Sequence, residues 1–398
     1  MKILLLTKKV PFPLTDGEVI AIHSLSKGLV AQGCELHLLA LNTQKHFVAF
    51  DKTPTKLSHF TSIEIINIDT RIKLMPALVC LLLGKSYNID RFISQEFDNK
   101  LRLRLEKEQF DIIQLETLYM VPYADTIRKS SSAIISLRSH NVESEIWKNL
   151  SSESSGLKGW YLGHCARMLS RFEKTSQGKY DLLLPITQID ADHFADRGDQ
   201  ARVKVVSVGI DMSKYAPGDP PVTRCKIGFL GSLDWQPNLE GIDWFLNEVW
   251  PIIVKKNPHL EFHIGGRNMP PKFLKLKAPG VTIHRKVENA RAYVNDMDMI
   301  VVPLFSGSGI RVKIVEAMSL GKVVLSTPKG FEGIGIKNLE NGIVFKNKTD
   351  LIEIIDQINS LNISKIGGAA RRHIQNNFSA KSIAKDLLKF YQTQKNEK

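Results

Sequence analysis

Short, wholly apolar runs recur along this 398-residue chain with helical patterns between them, and that rhythm constrains the fold more than any other feature. In the first half the runs fall at residues 2–7, 35–41, 63–69, 112–116, 133–138, 182–187 and 203–208. Most lack the polar/apolar alternation of a strand with one wet face, so they read as strands covered by helices on both sides. Helical patterns at 19–32, 91–107 and 143–179 fill the gaps. Strand and helix in alternation predict a parallel, doubly wound sheet.

The rhythm breaks at Tyr215-Ala216-Pro217-Gly218-Asp219-Pro220-Pro221, a linker-like cluster, and then restarts. Strands are expected at 226–230, 261–264, 281–285, 299–304, 322–326 and 342–345, and helices at 238–256, 310–320, 350–361, 364–376 and 380–394. The expected fold class is α/β, with two tandem doubly wound parallel-sheet (Rossmann-like) domains, 1–215 and 222–379. A cleft between them is the default ligand site.

Fifty-four Lys and Arg against 41 Asp and Glu leave a net charge of +13, which favours an anionic partner: nucleotide, nucleic acid or phospholipid surface. The basic residues are scattered, with neither an aromatic RNA-binding strand nor a zinc finger, so nucleic acid is not expected. Cys34, Cys80, Cys165 and Cys225 show no metal spacing and read as reduced thiols in a cytosolic setting. The apolar run at the start is too short for a signal peptide. The longest apolar stretch, residues 74–84, contains Pro76 and is about half of a bilayer span. With Arg71, Lys73, Lys85, Arg91 and the Lys100–Arg104 segment around it, it reads first as a core helix with a solvated basic face. The second reading is a surface that meets an anionic membrane.

The most informative stretch is Pro303-Leu304-Phe305-Ser306-Gly307-Ser308-Gly309-Ile310-Arg311-Val312-Lys313, followed by Glu316. A buried strand runs into a Ser/Gly loop that opens a helix, where free N–H groups and the positive dipole end suit an anion. Arg311 and Lys313 fall in the first turn, where cations are disfavoured unless a bound diphosphate reverses the sign. The alternative for Lys313 is a surface ion pair with Glu316 three residues on, worth only about 0.2–0.5 kcal/mol. Gly231-Ser232, with Asn238 as an N-cap, is a second phosphate-like loop or an ordinary strand-to-helix turn. Gly265-Gly266-Arg267 is a third loop, in which Arg267 either meets phosphate or base or is simply exposed.

At these residues the sequence resembles a GT-B glycosyltransferase of the retaining group called glycosyltransferase family 4, over nearly the whole chain. The likeness rests on Asp16-Gly17-Glu18, on Arg138-Ser139-His140-Asn141-Val142-Glu143, on Gly231-Ser232, on Gly307 to Glu316 and on Gly321 to Thr327. It implies a nucleotide diphosphate sugar held by the second domain, an acceptor side in the first, and a last helix (380–398) that packs back on the first domain. It implies that Glu316 holds the donor ribose, as a carboxylate can hold a vicinal diol. Arg311 and Lys313 would lie at the diphosphate, with Gly17 in the first-domain loop facing it. His140, which also reads as a structural histidine, would lie near the transferred sugar. The family often has a glutamate eight positions before the ribose glutamate, where this chain has Ser308.

The expectation is therefore transfer, with retention, to a hydroxyl of a glycan or lipid-linked acceptor. His140, Arg311 and Lys313 would act in catalysis, and Gly17, Gly231, Ser232, Arg267, Gly307, Ser308, Gly309 and Glu316 would bind the donor. No Asp-x-Asp clamp stands out, so no metal and no cofactor are expected. The expected place is the cytoplasm, free or on the inner face of its membrane. A GT-B epimerase or a glycosyl phosphorylase is the alternative. A dinucleotide oxidoreductase is disfavoured, because Lys8-Lys9-Val10-Pro11-Phe12-Pro13 follows the first strand in place of a glycine-rich turn.

Overall fold

The computed structural model describes residues 1–14, 16–49, 57–218, 226–307 and 309–397. The chain divides into two compact units, Met1–Ile210 with Ala380–Lys398, and Asp211–Ser379.

In the first unit, β1 (Lys2–Thr7), β2 (Glu35–Thr43), β3 (Ser62–Ile68), β4 (Ile112–Glu116), β5 (Ile134–Ser139), β6 (Leu182–Pro185) and β7 (Arg202–Val203) form one sheet. The order is β3-β2-β1-β4-β5-β6-β7 and every pair is parallel. β1 is an interior strand, with Leu5 level with Leu38 on one side and Gln114 on the other. Its residues 3–6 are almost wholly inaccessible, as a strand packed on both faces must be. The helices are α1 (Gly17–Ala31), α2 (Leu74–Leu82), α3 (Tyr87–Asp90), α4 (Gln95–Lys107), α5 (Ala124–Ser130), α6 (Glu143–Ser152), α7 (Gly156–Thr175) and α8 (Gln188–Asp196).

The second unit repeats the plan with β8 (Lys226–Leu230), β9 (Glu261–Gly265), β10 (Val281–Ile283), β11 (Met299–Val302), β12 (Val323–Ser326) and β13 (Ile343–Val344), in the parallel order β10-β9-β8-β11-β12-β13. Around it lie α9 (Gln236–Trp244), α10 (Trp250–Lys256), α11 (Pro271–Leu274), α12 (Ala290–Asn295), α13 (Val312–Ser319), α14 (Lys348–Asp356) and α15 (Ile363–Asn377). The last helix, α16 (Ala380–Asn396), belongs to the first unit. It meets α1 so closely that a Cβ on Gly28 would sit 2.7 Å from the Ala384 Cβ.

The structure differs from the sequence reading in particular places. The expected end of the first domain, 215, falls inside the second unit, because the Tyr215 hydroxyl bonds Glu316 and its carbonyl accepts from Arg371. The expected start at 222 lies outside the described residues, as does Cys225; Cys34, Cys80 and Cys165 are buried free thiols. The helix expected over 143–179 breaks between α6 and α7, where Gly156 has φ +63°. The one expected over 238–256 contains a π-helical turn, Phe245–Val249, just before Pro251, which has no N–H to continue the α ladder.

The largest correction concerns residues 74–84. They form a helix, but of α2 only Cys80 is buried, while Leu74 is 85% and Leu82 is 78% exposed. The core-helix reading is therefore wrong. Among the described residues, no helix is long and apolar enough to cross a membrane.

Candidate functional site

In the second unit the connections that leave the neighbouring strands β8 and β11 run in opposite directions, to β9 on one side and to β12 on the other. Open α/β sheets take ligands at the carboxyl ends of such a pair, because the two loops diverge there and leave a crevice. The loops singled out from sequence leave from this point, Gly231-Ser232 from β8 and Gly307 to Arg311 from β11.

Small residues bring the backbone close. A Cβ on Gly266, after β9, would lie 1.9 Å from the Gly231 carbonyl oxygen, and the Gly231 N–H donates to the Gly265 carbonyl at 3.1 Å. Gly307 and Gly309 have φ of +92° and +78°, a left-handed conformation open to glycine. Ser308 lies outside the described residues. The Ser232 hydroxyl donates to Asp234 Oδ1 at 2.5 Å. Arg267 is exposed, and its carbonyl accepts from the Leu233 N–H at 3.0 Å.

α13 starts two residues later than expected, so Arg311 is its N-cap and Lys313 alone of the two cations stands in the first turn. Arg311 is buried, donates from Nη1 to the Gly309 carbonyl at 2.9 Å and lies 5.6 Å from the Trp235 ring. Burial lowers its pKa to about 10. Lys313 is half-buried, with Nζ 4.5 Å from the Phe229 ring and donating to Asn238 Oδ1 at 2.6 Å. Burial, reinforced by Arg311, brings it down to about 7. Its partner is a neutral amide, so the ion pair with Glu316 left open by the sequence is not formed.

Glu316, one turn on, accepts instead from the Tyr215 hydroxyl at 2.6 Å, while burial raises its carboxyl pKa. Arg371 donates to the carbonyls of Tyr215 and Ser319, and Arg291 lies 5.7 Å from the Tyr215 ring. Asn238 is not the N-cap of α9, a position taken by Trp235; its amide joins Lys313 to the Ser232 carbonyl. Asn238 and Tyr215 are the parts of this site that the sequence reading missed.

In the first unit, Gly17 opens α1 and Asp16 caps it, accepting from the Val19 N–H at 3.1 Å. The cations there are met by carboxylates: Lys9 with Asp16 at 3.0 Å and Lys8 with Glu18 at 3.1 Å. Burial pushes the Glu18 carboxyl up, but Lys8 and Lys9 outweigh it and hold it at about 2. His140, after β5, is buried with Nε2 2.6 Å from Glu116 Oε2 at the end of β4. Glu116 also takes a hydrogen bond from Gln114 at 2.5 Å and lies 3.7 Å from Arg138. The Tyr391 hydroxyl of α16 closes this network, 2.6 Å from Gln114 Oε1. Thr117, next to Glu116, holds φ +88°, a strained value for a non-glycine residue.

Thus Gly231, Gly307, Gly309, Arg311, Lys313 and Glu316 gather at one end of the second sheet, and Gly17 and His140 belong to the first. Among the described residues, one trio could hold a metal ion, Glu35, His37 and Glu108. It is engaged by Lys2 and Arg104 and stands by the first residue of β2.

Residues 224–361 match the family model described as glycosyl transferases group 1. A Klebsiella pneumoniae protein described as an uncharacterized 44.6 kDa protein in cps region is 26% identical over 324 residues, 75% of this chain and 79% of that one. Among solved structures, sucrose-phosphate synthase from Thermosynechococcus elongatus superposes over 100% of both chains with TM-score 0.74 at 13% identity. Alr3699/HepE of Anabaena, in complex with UDP, covers 99% of this chain and 100% of its own with TM-score 0.67 at 16% identity. At such identities these neighbours show the fold, which is the GT-B architecture.

Proposed function

From the match of residues 224–361 to glycosyl transferases group 1, and hence from a glycosyltransferase, we propose that the chain moves a sugar from a nucleoside diphosphate sugar to a hydroxyl of a glycan or lipid-linked acceptor. The observation that carries the donor assignment is Lys313, an amine with a neutral amide for its partner at the amino end of α13. A group in that state gains most from an anion, and the dipole end adds to the gain. The neighbours lend support: HepE is described in complex with UDP and with UDP-glucose, and a pneumococcal O-GlcNAc transferase in complex with UDP and GlcNAc. The cps-region relative supports a place in polysaccharide biosynthesis.

In this reading Arg311 and Lys313 meet the negative charge that builds on the leaving diphosphate, and the backbone at Gly231, Gly307 and Gly309 approaches it closely. Gly17, Ser232, Ser308 and Arg267 complete the donor contacts, and Glu316 takes the ribose diol in place of its Tyr215 partner. His140, held by Glu116, serves the transferred sugar. The acceptor oxygen attacks the anomeric carbon, the bond to the β-phosphate oxygen breaks, and the hydroxyl proton passes to that phosphate. The sugar keeps its configuration. The fixed cations take the part a metal ion plays elsewhere, and no cofactor is used.

The test is a thermal-shift screen against UDP, GDP, ADP and their sugars, followed by nucleoside diphosphate release with and without acceptor glycans. A ligand at a hundredfold excess over Kd stabilises by about 2.7 kcal/mol, a readily measured shift. Absence of any shift across the panel would contradict the reading.

A further inference from the structure

The proposed donor site leaves unused a cavity of about 370 Å³ in the first unit. It lies beyond the carboxyl ends of β1, β2 and β3, and each strand delivers a cation to its wall: Lys8 and Lys9 after β1, Lys45 after β2, and Arg71 after β3. Arg91 completes the wall, between α3 and α4. Three of these charges are already met, Lys8 by Glu18, Lys9 by Asp16 and Arg71 by Asp69. Among the described residues, Lys45 and Arg91 have no carboxylate partner, and the Arg91 Nε is buried without a hydrogen bond. Among the described residues the cavity wall therefore carries Lys45 and Arg91 as cations without a carboxylate, and its volume has room for a doubly charged anion.

The rim of this cavity continues into an apolar surface. Ile72, which lines it, is 72% exposed, and two residues further α2 begins with Leu74 and Met75, 85% and 71% exposed. α2 buries Cys80 and turns Ala77 and Leu81 to a small cavity shared with Tyr161 and Cys165 of α7, and its remaining apolar side chains are exposed. Lys73 and Lys85 flank its two ends. The segment between cavity and helix is fixed: the Tyr87 hydroxyl accepts from the Lys73 N–H at 2.8 Å, and Gln44 Oε1 accepts from the Thr70 N–H at 3.1 Å. An apolar helix held in water between basic residues and continuous with a cationic pocket matches a ligand with an anionic head and an apolar chain.

We propose that this cavity binds the phosphate or diphosphate of an amphiphilic acceptor, a sugar carried on a lipid phosphate, and that α2 receives the lipid chain. The word acceptor rests on the transferase reading, whereas the binding itself does not. The test is calorimetric titration of the full chain, saturated with nucleoside diphosphate to fill the second unit, with three probes: farnesyl diphosphate, farnesol and inorganic diphosphate. Farnesyl diphosphate is expected to bind at least tenfold more tightly than either other probe. The pair Lys45→Gln with Arg91→Gln should weaken it at least tenfold, and the pair Leu74→Ser with Leu82→Ser at least fivefold. Neither pair includes a proposed donor group, and an unchanged Tm together with unchanged nucleoside diphosphate affinity reports that each variant is folded. Equal affinity for inorganic and farnesyl diphosphate, equal affinity for farnesol, or full binding by the cation pair would overturn the proposal. Failure of the wild-type chain to bind any nucleoside diphosphate would instead remove the transferase reading and leave the cavity result standing.

Discussion

Lys8 follows β1 in the first unit and Lys313 stands in the first turn of the helix after β11 in the second, each beyond the carboxyl end of an interior parallel strand, and they are treated oppositely. Burial depresses both ammonium groups. At Lys8 the depression is outweighed by Glu18, Glu143 and Asp16, and the pKa ends above its ordinary value. At Lys313 the bonded neighbour is an amide, the nearby charge is that of Arg311, and the pKa falls to about 7. A charge that the protein has balanced is part of the fold, whereas one it has left with neutral partners is poised for a ligand. At Arg311 burial outweighs the opposing pull of Glu332 and lowers the pKa to about 10, while Glu18 is held at about 2.

Breaking the contrast at its functional end should give the largest effect. Lys313→Ala is expected to lower turnover by about 100- to 1,000-fold, as loss of one preorganised donor to a developing oxyanion does, with little change in Tm. Steady-state assay of nucleoside diphosphate release checks it. At the other end, Lys8→Ala leaves Glu18 to Lys9 alone and removes the cation that offsets Glu143, and should lower stability by about 3 kcal/mol in denaturant titration, with nucleoside diphosphate affinity retained. Gly241→Ala sharpens the comparison by moving the frame of the second site. Its Cβ would sit 1.8 Å from the Pro303 carbonyl oxygen, so α9 must move away from the end of β11. A loss of about 1–3 kcal/mol is expected, together with a weaker Asn238 hold on Lys313. Tyr215→Phe should be mildest. Removing the hydrogen bond that the ribose must displace from Glu316 is worth about 1 kcal/mol, so the donor KM should fall about fivefold while kcat holds.

What the sequence could reveal about this site depended on distance along the chain. The run from Gly307 to Glu316 was legible because its glycines, cations and carboxylate lie within three turns of each other and the strand-loop-helix setting is local. Asn238 and Tyr215 were not, since they reach their partners across 75 and 101 residues, and a polar residue's partner follows only from tertiary packing. Glu116 was hidden in a strand that reads as buried and apolar; its use emerges only when β4 and β5 lie side by side and bring His140 to it. The parallel sheets were visible in the unbroken apolar runs. The exposure of α2 was not, because a helix apolar on nearly every face ordinarily signals burial. The π turn before Pro251 has its signal in the proline itself, which cannot continue the α ladder.

The central claim is that Lys313 waits, largely neutral at pH 8.5, for a diphosphate to restore its proton. A bound anion raises the lysine pKa, so binding must take up a proton between pH 7 and the new value, and affinity must fall as pH rises through that window. Calorimetric titration of the full chain with nucleoside diphosphate at pH 8.5, in buffers of contrasting ionisation enthalpy, counts that proton. The account predicts an uptake of close to one, abolished by Lys313→Ala and unaffected by Lys8→Ala. Binding without proton uptake, or an uptake that survives in Lys313→Ala, would contradict it.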